Sequence, residues 1–549
     1  MPGALLNLVA TGPENVILNS NPKKTFFNAT YAKHTNFGMQ KFRLNYDKEK
    51  ELSFLQDTTV KFKIPRYGDL LGDTFLCVTL PDIYSPCFFI DNTSIGATDQ
   101  HLPFEFQWCK HIGTTMIKEI EIYAGGLTLA KYSGEYMHCI AHRDLNRNKK
   151  DIFDKMIGHV PELYDPANGF GLDDQYPNSY PDPNPTVTEG DLEPSIRGKK
   201  LFIPLYSWFS DSSKMALPLI GLQYQEVFVK VIFRPLKELY TIIDVENYKF
   251  VGGSLTEKPR ISPDPNNMLH QLKRFLVPTN KDDENPAINT PDTWFSDIHL
   301  MSTYIFLDKK EREKFARFPI SFLVKDVVEH EFLAETGSKK IDVESSHCVT
   351  NYMFRFRRSD VYKRNEWMNF TNWDFENIRP HKLKVFGRNT GDTNLDADTW
   401  ITQKTGPYFK NIKNILTDMG IVINGDYREN ILNNGIYLYC EKYTRTEGSF
   451  KNGLYHYSFA LHTDKNTYQP SGSMNMSKFE NVSFEYNTIN PPKNTNANVE
   501  IICSNNGELL GIRQDNNEIY EYNYDFKVFE ERYNVITIAN GSINKMLTN

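Results

Sequence analysis

His138 and His142 stand four residues apart in "HCIAH", a spacing that puts two imidazoles on one face of a helix. With Cys139 between them, the stretch has the donor types of a zinc site. Zinc takes three or four ligands, and the HExxH pattern is absent. The reading is a partly exposed helix face with no metal. "SSHC" sets His347 beside Cys348, but neighbours on a strand point to opposite faces, so they form no catalytic dyad. Glu530 and Glu531 offer two adjacent carboxylates among 69 acidic residues, and without a fixed separation such a pair carries no glycosidase signal. HxH, GxSxG, Walker and GxGxxG patterns do not occur in the chain, which removes the common metal-sandwich, hydrolase and nucleotide chemistries. The residues point to a protein that is not an enzyme and uses no cofactor.

A second cluster lies near the start. "TFFNATYAKHTNF" (25–37) gathers Phe26, Phe27, Tyr31 and Phe37 around Lys33, His34 and Asn36. Nothing elsewhere completes a catalytic set around His34. The rings read as anchors that fasten an arm, residues 1–25, under a first domain. His34 and Asn36 then hydrogen-bond backbone or neighbouring groups, as polar groups amid apolar packing do. Sequons occur at Asn28, Asn92, Asn369, Asn475, Asn481 and Asn540. An Asn-rich chain produces several by chance, so they are candidate glycosylation positions only.

These residues must be positioned by strands. The chain has 549 residues, 40% of them apolar and 13% aromatic, too long for one core and rich in the rings that favour pleated surfaces. "TVKFKIP" alternates Val60, Phe62 and Ile64 with polar residues. "IYEYNYDFKVF" sends Tyr520, Tyr522, Tyr524, Phe526 and Val528 one way and Glu521, Asn523, Asp525 and Lys527 the other, the period of a strand with one buried face. Helices are expected only at 132–145 and at 308–318, the second opened by Asp308 and Glu311 as a capping box. Residues 160–195, dense in Pro, Asp, Asn and Gly, read as a long surface loop. Residues 236–297 read as a linker between a first domain, 26–235, and a second, 298–549. The expected class is all-β: two sandwiches in tandem.

Net charge is −7 and the pI about 6.1, which argues against broad phosphate binding; no direct nucleic-acid contact is expected. Seven Cys without a CxxC pair read as reduced thiols. The apolar opening "MPGALLNLVATG" lacks a basic flank, and no run approaches membrane-spanning length, so residence in cytosol-like conditions is expected.

"NPKKTFFNATYAKHTNF" (21–37) resembles the N-terminal signature of the major capsid proteins of nucleocytoplasmic large DNA viruses, loosely NPQ-x-TFFK-x-VYRRHTNF. Asn21, Pro22, Thr25, Phe26, Phe27, Tyr31, His34, Thr35, Asn36 and Phe37 match it, and Ala32 replaces a usual Arg. Further blocks resemble the same family in collinear order: "HIGTTMIKEIEIYAGG" (111–126), "ALPLIGLQYQEV" (216–227), "TYIFLDKKEREKFA" (303–316), "INGDYR" (423–428), "QPSGSMNMSKFENV" (469–482) and "YNVITIANG" (533–541). The sequence departs from the family at "SKFENV" and in its last residues. The resemblance implies a double jelly roll, two eight-stranded sandwiches with short helices in loops. It implies a structural capsid protein that trimerises into pseudo-hexagonal capsomers of an icosahedral shell. The implied partners are its own copies, neighbouring capsomers, minor capsid and penton proteins, and peripherally an internal membrane; the implied place is the virion, after synthesis and assembly in host cytoplasm. The competing reading is a minor capsid or carbohydrate-binding host-attachment sandwich of the same virion.

Overall fold

The computed structural model describes the chain apart from residues 1–2, 47–50, 91–99, 180–192, 246–248, 252–253, 258–259, 279–291, 379–382, 387–400, 405–411, 464–468, 495–498, 504–508, 515–518 and 548–549. Two β-sandwiches follow one another. The first uses β1 (Phe37–Leu44), β2 (Thr58–Ile64), β3 (Leu70–Thr79), β4 (Ile117–Ala124), β5 (Leu127–Tyr132), β6 (Lys200–Pro204), β7 (Leu217–Pro218), β8 (Val227–Phe233) and β9 (His299–Leu307). One sheet runs β1-β9-β3-β7 with β6 also on β3, and the facing sheet runs β2-β8-β4-β5. All these pairings are antiparallel. Val60, Phe62 and Ile64 point inward from β2 as their alternation predicts, against Leu71, Leu76, Ile120, Ile122, Val229 and Leu300.

The second sandwich uses β10 (Ile320–Phe332), β11 (Ser338–Val343), β12 (Cys348–Arg358), β13 (Leu416–Ile423), β14 (Asp426–Asn433), β15 (Leu454–Ser458), β16 (Val482–Thr488), β17 (Tyr524–Ala539) and β18 (Ser542–Lys545). Its sheets run β10-β17-β12-β15, with β18 on β17, and β11-β16-β13-β14. Strands β10 and β17 pair without a register break from Ile320↔Ile538 to Phe332↔Phe526. The core here is aromatic. Phe526 meets the rings of Phe332, Phe354, Phe356, Phe484 and Tyr486 at centroid distances of 6.1, 6.2, 4.6, 6.0 and 5.2 Å, separations at which rings attract beyond simple burial.

The stretch read as a linker, 236–297, supplies core instead. Leu236, Leu239, Tyr240, Ile242, Leu272 and Phe275 are buried in the first sandwich, because its Pro- and Asp-rich turns are interleaved with short apolar runs. His299–Leu307, assigned by sequence to the second domain, lies between β1 and β3 of the first. The 160–195 stretch is also more ordered than a free loop. Pro161–Tyr164 is a helical turn with Leu163 buried, and the Tyr176 hydroxyl donates to the Phe106 carbonyl at 2.7 Å; residues 180–192 lie outside the described part.

The longest helices among the described residues are α1 (Gly134–Asp144), α2 (Arg147–Met156) and α3 (Lys309–Arg317). Ser133 caps α1 by accepting from the Tyr136 amide, the ordinary device for an orphan amide. Asp308 holds the cap position of α3, but its side chain makes no capping bond, so the expected capping box does not form.

Phe526→Ala should lower unfolding free energy by about 3–5 kcal/mol, the usual cost of emptying an aromatic core position. Phe526→Leu should cost clearly less. Chemical denaturation of the purified chain compares the two, and equal losses would contradict the ring-packing account.

Candidate functional site

Helix α1 was expected to show a partly exposed face. It is enclosed: Gly134 through Ala141 and Arg143 are all buried. It lies in a seam between the sandwiches, and the seam is made of charge. Arg355 of β12 forms a two-pronged pair with Glu135, donating from Nη2 at 3.1 Å and from Nε to the other carboxylate oxygen. Lys527 of β17 lies 3.5 Å from Glu135 and 2.8 Å from Glu329. About two turns along, Arg143 donates to Glu531 at 2.7 Å and to the Asn351 side chain at 3.0 Å, while its other nitrogens hold Asp144. The Tyr136 hydroxyl donates to the same Glu531 oxygen at 2.7 Å.

Burial alone would raise the Glu135 carboxyl, but Arg355, Lys527 and Arg357 together outweigh it and hold it well below the usual carboxylate range. Burial opposes ionisation of Glu531 in the same way. Arg143, Lys325 and the Asn351 amide overcome it and bring that carboxyl down to about 2. Both are therefore charged at neutral pH. Glu531 is not half of an acid pair: Glu530, its chain neighbour, points to the opposite face, where His330 lies 3.7 Å away.

The same face of α1 presents His138 and His142 to His111, which precedes the turn Ile112–Thr115 with φ 54°. Ring centroids are 4.3 Å apart for His111–His138 and 4.6 Å for His138–His142. His159 stacks on His111 at 3.7 Å. Burial drives the imidazoles of His111, His138 and His142 well below their ordinary pKa, so they are neutral. His347 and Cys348 take no part in this cluster. The sequence showed His138 and His142; the approach of His111 comes only from the fold.

The arm residues behave otherwise than expected for intrachain anchors. Phe26, Phe27 and Tyr31 are 86%, 97% and 88% exposed, and Phe37 about half. Among the described residues Phe26, Phe27 and Tyr31 do not enter the first core. His34 makes a local bond from Nδ1 to the Thr35 carbonyl at 2.8 Å, and Asn36 is exposed. Leu6, Leu8, Val9, Ile17 and Leu18 of the preceding short helical turns are exposed as well. Strand β1, which the arm enters, pairs only with β9 among the described residues.

Of the sequons, Asn28, Asn475, Asn481 and Asn540 are exposed. Asn369 is buried and donates from its amide to the Trp373 carbonyl at 2.9 Å, which leaves no room for a glycan in the folded chain. Asn92 lies outside the described residues.

Two family models match, "Major capsid protein N-terminus" over residues 25–308 and "Large eukaryotic DNA virus major capsid protein" over residues 311–544. The junction falls at the end of β9. Capsid protein 1 of Acanthamoeba polyphaga mimivirus is 28% identical over 411 residues, 74% of this chain and 57% of that protein. The major capsid protein of Phaeocystis pouchetii virus is 22% identical, covering 96% of this chain and 97% of its own. The Faustovirus major capsid protein superposes with a TM-score of 0.60 at 13% identity, over 94% of this chain and 93% of that one. The fold is thus a double jelly roll, and the chain belongs to the major capsid protein family of large eukaryotic DNA viruses.

Proposed function

We propose that this chain is a shell subunit that trimerises into pseudo-hexagonal capsomers, which tile the icosahedral capsid of a large double-stranded DNA virus. The carrying observation is the contrast between a closed seam and an open arm. Charges at the seam are paired across the two sandwiches inside one chain. Among the described residues, large apolar side chains of the arm stay exposed. A tile needs both: rigidity within the subunit and surface kept for neighbours. In this reading the subunit's first domain runs to about residue 308, and Phe26, Phe27, Tyr31 and Phe37 anchor on an adjacent copy.

Three copies in a ring present six sandwiches of similar shape, which approximates sixfold symmetry with a threefold assembly. Cyclic trimers close through heterologous contacts, so an arm leaving one copy meets a different surface on the next. Shell assembly in host cytoplasm, contact with minor capsid and penton proteins, and a peripheral approach to an internal membrane belong to the same reading. No described helix is long and apolar enough to cross a bilayer. The many rings that motivated a carbohydrate-binding alternative are largely core residues, among them Tyr352, Tyr437, Tyr455 and Tyr486.

Light scattering on the purified chain should give a particle of about 191 kDa, three chains of 63.7 kDa. Serine at Phe26, Phe27 and Tyr31 together should weaken trimerisation by tenfold or more, about 1.4 kcal/mol, without lowering the monomer's melting temperature. A wild-type chain that stays monomeric at micromolar concentration would sink the reading.

Acid should open the seam. Glu531 titrates lower in the folded chain than in the unfolded one, so its stabilisation is full above about pH 4.3 and is lost as pH falls towards 2. The loss should be about 3 kcal/mol by linkage. Glu531→Gln should be less stable at pH 7 and should flatten this part of the pH profile, read from urea midpoints between pH 6 and 2.5.

A further inference from the structure

His138 is fully buried, and neither of its ring nitrogens has a hydrogen-bond partner. Nδ1 of His111 and Nε2 of His142 are likewise shielded and without a hydrogen-bond partner, with Asp154 Oδ1 3.9 Å from the first. One ligand nitrogen from each of the three lies within 4.8 Å of the others. Four orphaned nitrogens on three neighbouring rings are anomalous in a folded core, where buried polar atoms are nearly always satisfied. An electrophile placed among them would accept a lone pair from each ring at once.

We propose that His111, His138 and His142 bind a zinc ion that pins α1 to the turn at Ile112–Thr115 beside the seam. The donor set is right for the metal: three neutral imidazoles suit Zn²⁺, which prefers nitrogen and sulfur ligands in a tetrahedron. Bonds of about 2.0–2.1 Å would bring the nitrogens to about 3.4 Å from one another, reachable by side-chain rotation of about 1 Å. His142 and His138, four residues apart on α1, supply two ligands from one rigid face. His111 supplies the third from a residue in the left-handed region, a conformation held against its own preference.

The surroundings fit a ligand set and not merely a crowded core. The second nitrogen of His142, Nδ1, meets the Ser449 hydroxyl at 3.2 Å, the outer contact that fixes the ring of a metal-bound histidine. His159 is excluded as a further ligand. Its ring stacks on His111 at 3.7 Å and 17°, and two lone pairs in parallel planes cannot point at one ion. Cys139 is not part of the set: among the described residues the ligand atoms that lie within 4.8 Å of one another are those of the three histidines. Nearby cations do not forbid the ion. Lys150 is paired with Asp154 and Lys451 with Glu376, and burial lowers Lys442 to about 7. Three protein ligands leave a fourth position for solvent.

The site would bear on the seam because Ser449 comes from the second sandwich. Gly448 beside it lies so close to α1 that an added Cβ would stand 2.2 Å from the carbonyl oxygens of His142 and Arg143. A metal fixing α1 therefore also fixes the surface against which that loop rests.

The test uses the full chain loaded with Zn²⁺, desalted and analysed by mass spectrometry for metals. About one equivalent per chain is expected, with a higher melting temperature than the chelator-treated protein. Co²⁺ in its place should give the intense visible bands of a tetrahedral nitrogen site. His138→Gln and His111→Gln should lose both signals, and His347→Ala should keep them. Folded wild-type protein that retains less than a tenth of an equivalent overturns the proposal, whatever the variants do. So does metal retained undiminished in His138→Gln. Metal content and particle mass are separate readings: a metal-free trimer removes the zinc centre alone, and a zinc-loaded monomer removes the trimer alone.

Discussion

The pairing of Glu135 with Arg355, and of Arg143 with Glu531, sets the relation between the two sandwiches. Each pair joins α1 of the first sandwich to the β12–β17 sheet of the second. Buried ion pairs add little net stability over apolar packing of the same volume, because two ions must be stripped of water. What they impose is direction. A sandwich rotated by one residue against its partner would leave a guanidinium or a carboxylate buried alone, at a cost of about 3–5 kcal/mol. An apolar seam would slide at far smaller cost. For the shell subunit proposed above, fixed orientation matters more than a few extra kilocalories.

The seam also accounts for the charged face of β17. Tyr524, Phe526 and Val528 enter the aromatic core, as their alternation says. Lys527 and Glu531 stand on the other face and are buried too. The strand has two interiors, one apolar and one ionic. Phe529, between those charges, joins the first core against Tyr136 at 5.8 Å. Further on, Ile536 and Ile538 enter that core as well. One strand therefore serves both sandwiches, and the core does not stop where the domains divide.

The all-β class, the tandem sandwiches and most strands were legible because alternation is local. Strands such as β2 carry their burial in their own residues. The linker assignment failed at 236–297 because core residues there come in runs of two to four, too short to show a period between prolines. The place of His299–Leu307 was hidden because strand partners are chosen over long sequence distance: Leu307 pairs with Phe37. The seam left a fainter trace. Arg355 and Arg357 alternate with Phe354 and Phe356 in one strand, and a strand flanked on both sides in its sheet cannot keep two arginines in water unless nothing covers that face. Whether something covers it is a tertiary fact. For the same reason His111 could not be grouped with His138 and His142 from spacing alone.

The arm shows the opposite limit. Its rings read from the sequence as packing residues, yet among the described residues Phe26, Phe27 and Tyr31 stay largely exposed. In the proposed trimer the partner surface comes from another copy, which a single sequence does not record. Phe26, Phe27 and Tyr31 spend little to stay exposed on one short segment, because the strands they precede are already closed around a full core. An apolar segment that the monomer does not require is free to be shaped by assembly. Glu135, Tyr136 and Arg143 of α1 have no such freedom, since each is held by a residue of the second sandwich.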